Sequence, residues 1–195
     1  MKEHVISALR ESADVKMQMA KESLDDIVQV SEVITRALKA GKKILIFGNG
    51  GSAADSQHIA AEFVNRFMTE RKALAALALT TDSSIITSIA NDASFNDIFS
   101  RQIEAVGNKG DIALGITTSG KSANVLKALE IAKQKELKTL AFSGNSTTKL
   151  KKHTDLIITV PSTSTQRIQE AHITVAHIIC ELIENALTES GSSGK

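Results

Sequence analysis

Tryptophan and tyrosine are absent from this 195-residue chain, and six phenylalanines are its only aromatic side chains apart from histidine. Stacking platforms for single-stranded nucleic acid are therefore scarce, and the core must be built from Ile, Leu, Val and Ala. Cysteine occurs once, at Cys180. That excludes an intramolecular disulfide and points to a reducing compartment. Charge of either sign is not in surplus: 23 Lys and Arg face 22 Asp and Glu, for a net +1. A non-specific nucleic-acid binder would need a basic footprint that is missing here. No apolar run approaches the ~18 residues of a membrane span. The N-terminus, with Lys2, Glu3, His4, Arg10 and Glu11, lacks the apolar core of a signal peptide. The expectation is a cytoplasmic protein without nucleic-acid or membrane partners.

What is present is ordinary for a globular chain, at 42% hydrophobic and 23% charged residues. The length suits one domain, placed at 1–190, with Gly191 to Lys195 set aside as a tail or expression scar. Residues 3–40 carry apolar positions at helical spacing (Val5, Leu9, Val15, Met19, then Leu24, Ile27, Val28, Ile34, Leu38), with a helix start at Ser23 and a stop at Gly41. Such an N-terminal helical extension suggests packing against another subunit. From Lys42 onward, short apolar runs at 43–47, 74–79, 111–116, 139–142 and 156–160 predict buried parallel strands. They alternate with helical windows at 52–67, 83–91, 121–135, 145–152 and 166–189. The fold class read from this alternation is α/β, an open five-stranded parallel sheet with helices on both faces. Ligands in such sheets bind beyond the carboxyl ends of the strands.

Two strand exits draw attention. The first reads Gly48-Asn49-Gly50-Gly51-Ser52-Ala53-Ala54-Asp55, with three glycines in four residues ahead of a helix. Close backbone approach and free helix N–H groups suit an anion or a polyol. The same residues satisfy a relaxed dinucleotide fingerprint, but the acid expected ~20 residues on is missing, Asp82 lying too far along. The second exit, Thr117-Thr118-Ser119-Gly120-Lys121-Ser122, completes a literal phosphate-loop pattern from Gly115. Gly115 falls inside the predicted strand, however, and the last strand ends at Pro161 rather than at a magnesium-binding aspartate. Four hydroxyls at a helix start suit a single phosphate monoester better than a nucleotide. Simple helix capping would account for one of them.

His58 and Glu62 share a helix face four residues apart, and the last helix adds Gln169, Glu170, His172 and His177. A lone His/Glu pair is more often a surface contact than a site. Taken as a set, His58, Glu62, Gln169 and His177 offer donors that zinc takes, with Gln169 the unusual one. Gln169 and His177 lie about 12 Å apart along a straight helix, so they converge only through long side chains or an irregular helix start. Cys180, beside Ile178 and Ile179, reads as core.

These motifs together resemble the SIS (sugar isomerase) domain family, and within it the phosphoheptose isomerases. The likeness is carried by Gly48 through Asp55 with His58 and Glu62, by Ile89-Ala90-Asn91-Asp92, by Phe95 to Gln102, by Gly115 to Asn124, and by Arg167-Ile168-Gln169-Glu170 with His172. The resemblance implies a three-layer α/β/α, flavodoxin-like subunit in a homotetramer. It implies interconversion of sedoheptulose 7-phosphate and D-glycero-D-manno-heptose 7-phosphate through an enediol. It assigns substrate contacts to Asn49, Gly50, Gly51, Glu62, Asn91, Asp92, Thr117, Thr118, Ser119, Ser122 and Gln169. It assigns one zinc ion to His58, Glu62, Gln169 and His177. Within that chemistry Glu62 is the candidate base and His177 the candidate acid. Thr117 stands where serine is common in the family, and Lys121 occupies a variable position. The alternative is a non-catalytic SIS adaptor resembling the DnaA initiator-associating protein, which retains part of the same His, Glu and Gln pattern.

Overall fold

In the computed structural model, which describes residues 1–189, two helices precede an alternating β/α run. They are α1 (Lys2–Glu22) and α2 (Leu24–Lys39), followed by β1 (Ile44–Gly48), α3 (Gly51–Val64), β2 (Ala76–Ala78), α4 (Ser83–Asp92), α5 (Ser100–Val106), β3 (Ile112–Thr117), α6 (Ala123–Gln134), β4 (Lys138–Ser143), β5 (Leu156–Thr159) and α7 (Thr165–Glu189). All strand pairs are parallel, in the order β2-β1-β3-β4-β5. The direction of winding reverses between β1 and β3, and in this strand order that crevice is where a ligand binds.

Strand alternation divides the core in two. Ile44, Ile46, Ile112, Leu114, Ile116, Leu140, Phe142 and Ile158 point to one face, against α2, α3 and α7. Leu45, Phe47, Ala113 and Ala141 point to the other, against α5 and α6. Apolar residues on both faces explain why these strands read as near-continuous hydrophobic runs. The expected three-layer α/β/α architecture is present.

The N-terminal segment does more than extend outward. Ile27, Val30, Ile34 and Leu38 of α2 are buried in the main core, whereas α1 buries only Val15 and Met19 and leaves Val5, Ile6 and Leu9 exposed. Ser23 separates the two helices as expected. Its hydroxyl makes no cap, however, and donates instead to the Thr159 carbonyl at 3.0 Å, tying the junction to β5. Two local expectations differ from the structure. The window 145–152 holds only a 3₁₀ turn at Leu150–Lys152, because its Ser, Thr and Lys residues offer little besides Leu150 to bury. Conversely, α5 follows a 3₁₀ turn at Phe95–Asp97 and was not expected; its Ile103, fully buried, anchors it. No helix among the described residues is long and apolar enough to cross a membrane. The tail at 191–195 lies outside them.

Candidate active site

The two strand exits face one another. Asn49 donates its Nδ2 to Asn124 Oδ1 at 2.9 Å, and Asn124 Nδ2 returns a bond to Asn49 Oδ1 at 2.8 Å. This reciprocal amide pair locks the glycine loop after β1 to the first turn of α6. Asn124 is buried, and sequence reasoning treated it only as the end of a motif.

Around the second loop, Thr117 Oγ1 lies 3.0 Å from Ser122 Oγ and 3.5 Å from Ser119 Oγ, while the Lys121 N–H donates to Ser119 Oγ at 3.2 Å. Ser122 occupies the N-cap position of α6 without making a cap bond, so its hydroxyl belongs to this cluster instead. The chain turns here through Gly120, at φ 63°, where any side chain would overlap the Ser146 carbonyl oxygen. The Gly144 N–H donates to the Thr118 carbonyl at 3.3 Å, which fixes the loop from the β4 side. Gly115 lies within β3, where a Cβ would press on Val125 and Leu129 of α6. Its absence of side chain serves helix-on-sheet packing, and the literal nucleotide phosphate-loop reading loses its first glycine. Asp82, the acid weighed for the dinucleotide fingerprint, caps α4 by accepting the Ile85 N–H at 2.9 Å.

On α3, two turns beyond the glycine loop, His58 Nε2 is 3.0 Å from Glu62 Oε1. From α7, His177 Nε2 approaches His58 Nε2 to 3.3 Å. The three side chains offer ligand atoms all within 4.8 Å of one another, and two imidazoles with one carboxylate form a donor set that a divalent metal ion accepts. Phe67 packs against His177 with ring centroids 5.6 Å apart and the planes tilted by 33°. His58 is 45% exposed and Glu62 22%, so one chain alone leaves this cluster open to water.

Gln169 sits elsewhere. Its side-chain amide rests on Gly51, where a Cβ would collide with Nε2, and Gly51 precedes His58 by about 10 Å of helix rise. Between them on the same face lies Asp55. One of its carboxylate oxygens is buried without a partner, and burial pushes its pKa up against the pull of His58. Asn91 and Asp92 bond to each other at 2.8 Å at the exposed end of α4, a helix with no buried residue. They do not bond to either loop within one chain. His172, on another face of α7, packs its ring 5.7 Å from Phe142, with both nitrogens buried and no hydrogen bond of good geometry, the Ser143 backbone being the polar group that acts on it. Cys180 is buried, and burial, with the nearby Glu62 carboxylate adding to it, pushes its thiol up to about 12, as suits a core residue.

A profile of the SIS domain matches residues 9–144. A phosphoheptose isomerase of Thermodesulfovibrio yellowstonii is 49% identical over 195 residues, which is all of this chain and 97% of the relative. The chain belongs to the phosphoheptose isomerase family of SIS domains. The phosphoheptose isomerase of Aquifex aeolicus is 50% identical over 97% of this chain and 99% of its own length. A solved phosphoheptose isomerase structure from Neisseria gonorrhoeae superimposes with a TM-score of 0.89 at 40% identity, covering 94% of this chain and 98% of that one. These phosphoheptose isomerases favour an isomerase over the adaptor alternative. The Vibrio vulnificus NanR protein complexed with ManNAc-6P and the sugar isomerase domain of an RpiR transcription factor from Sphaerobacter thermophilus also share the fold, at 14% and 15% identity, and speak for the fold alone.

Proposed function

We propose that this phosphoheptose isomerase family member interconverts D-sedoheptulose 7-phosphate and D-glycero-D-manno-heptose 7-phosphate in the cytoplasm, as the first step toward activated heptose for a bacterial surface polysaccharide. One observation carries the reading. His58 and Glu62 of α3 meet His177 from 119 residues away, on the helix that starts at the glycine loop. A carboxylate and two imidazoles at that point are what proton shuttling between adjacent carbons requires.

In this reading the Thr117, Thr118, Ser119 and Ser122 hydroxyls and the first N–H groups of α6 bind the phosphate, aided by the positive end of the helix dipole. Asn49, Gly50, Gly51 and Gln169 hold the sugar hydroxyls, with Asn91 and Asp92 completing the contacts. Glu62 Oε1 is engaged by His58, which leaves Oε2 to take the proton from C1 of the ketose. The C1–H electron pair becomes the C1=C2 bond, and the former carbonyl oxygen at C2 takes a proton from His177. The O1–H proton then returns to His177, C1=O forms, and Glu62 delivers its proton to C2. His58, Glu62 and His177 are the residues that would hold zinc, and Gln169 would join them as a fourth donor only by swinging its side chain away from Gly51. When bound, zinc supplies positive charge that polarises the substrate carbonyl and the enediolate oxygens.

Exposed Val5, Leu9, Met17, Leu24, Val28, Ile178 and Leu182 support assembly into a homotetramer, which would also cover the open cluster. Light scattering is expected to report four times the 20.8 kDa chain mass, and a monomer at micromolar concentration would refute this part. Incubation with sedoheptulose 7-phosphate, followed by NMR, is expected to yield the aldose. A chelator is expected to slow the reaction at least tenfold and added zinc to restore it. Absence of aldose in every metal condition would overturn the isomerase reading.

A further inference from the structure

Behind the His/Glu cluster lies a buried ion pair. Arg71 Nε donates to Glu184 Oε2 at 3.0 Å, and the two side chains are 7% and 3% exposed. Pairs of this kind are replaced by apolar residues without loss of stability in other folds, so their energy alone does not account for them. Their remaining bonds are specific. Arg71 Nη2 donates to the Glu62 carbonyl at 2.7 Å and Nη1 to the Phe63 carbonyl at 3.0 Å, binding the last turn of α3. Glu184 accepts the backbone N–H groups of Phe67, Met68 and Thr69 at 3.1, 2.8 and 2.7 Å, fixing the segment that follows α3. It stands seven residues after His177, on the same face of α7. The pair thus touches the backbone of Glu62, the segment that carries Phe67 onto His177, and the helix that bears His177. Burial would raise the Glu184 carboxyl, but the N–H groups of Met68, Phe67 and Thr69 outweigh it and hold its pKa at about 2.

We propose that Arg71 and Glu184 are positioning residues, a buried clamp that sets the separation of Glu62 from His177 and thereby both metal affinity and turnover. The inference rests on the isomerase reading for its kinetic half only. Misplacement of reacting groups by about an ångström costs up to ~100-fold in rate, and loss of residues supporting metal ligands costs about 10–100-fold in affinity or activity.

Three variants of the full chain test it: Glu184→Gln, Arg71→Lys, and the charge-free double Arg71→Met/Glu184→Leu. Each is assayed for thermal midpoint, for Zn²⁺ affinity by competition with a chromogenic chelator, and for kcat and KM with sedoheptulose 7-phosphate. All folded variants are expected to lose at least tenfold in kcat with KM within about twofold, and to bind Zn²⁺ at least tenfold more weakly. The double variant strands the N–H groups of Phe67, Met68 and Thr69 and the carbonyls of Glu62 and Phe63, so its midpoint is expected to fall as well. Arg71→Lys, which leaves the Glu184 bonds to those N–H groups in place, separates positioning from stability. If Glu184→Gln or the double variant does not fold, Arg71→Lys decides. Wild-type kcat and Zn²⁺ affinity in the folded variants, with only the midpoint moved, would overturn the clamp. If the wild-type protein itself turns over no sugar, the isomerase reading fails and Zn²⁺ affinity alone judges the clamp.

Discussion

Glu62→Gln and His177→Gln are each expected to lower kcat by about 10³-fold or more while leaving the thermal midpoint within a few degrees of the wild type. General acid or base catalysis contributes about 10²–10⁴-fold for a positioned group, and in the proposed reaction each of these residues handles two proton transfers. Glutamine keeps the size of both side chains and a hydrogen-bonding tip, but it neither accepts a proton from carbon nor protonates an oxygen. Both positions border solvent rather than the core, so the fold does not depend on them. Circular dichroism and thermal melts check the fold, and a coupled assay for the aldose checks the rate. Turnover close to wild type in either variant would remove that residue from the mechanism. Because the carbon proton that Glu62 moves and the oxygen protons that His177 moves belong to one enolisation, the double variant is expected to be little worse than either single one.

His172 predicts the second large effect, this time on stability. Its ring is buried, and burial, only partly offset by the Ser143 backbone, lowers its pKa from 6.5 to about 4. The unfolded chain therefore takes up a proton below pH 6.5 that the folded chain refuses until about pH 4. Stability contributed by the neutral ring is full above pH 6.5 and falls as acid is added, by up to ~1.4 kcal/mol per pH unit and about 3 kcal/mol in all. Urea unfolding at pH 7.5, 6 and 5 measures this loss. His172→Phe, which retains the contact with Phe142, is expected to flatten the profile across that window. A wild-type curve that stays level from pH 7.5 to 5 would show that the ring is not held neutral.

Much of the architecture was legible in the chain, for reasons that particular elements make plain. Strands such as Ile44–Gly48 and Ile112–Thr117 are buried on both faces, so composition alone marks them. The seven-residue α5 offers too few periods for a helical pattern to emerge. Site residues on one helix, such as His58 and Glu62, follow from spacing. Their meeting with His177 does not, since it depends on how α3 and α7 pack. Asn49 with Asn124 and Arg71 with Glu184 are 75 and 113 residues apart. Read singly, Arg71 and Glu184 look like solvated charges, and no local pattern signals that they are buried. His172 and His177 could have been told apart, because five residues rotate a helix by about 140° and place the two rings on different faces.

The strand order has a further consequence for how binding and folding are linked. The two recognition turns belong to strands adjacent in the sheet but separated in the chain by α3, β2, α4 and α5. The two halves of the pocket meet only when that long loop closes, a slow, non-local event. A nascent chain that has emerged only as far as α5 carries Asn49, Gly50 and Gly51 but neither the hydroxyl loop for the phosphate nor His177. Ligand can therefore reward only the completed sheet. It should protect amides of β1 and β3 against the slowest, whole-molecule opening.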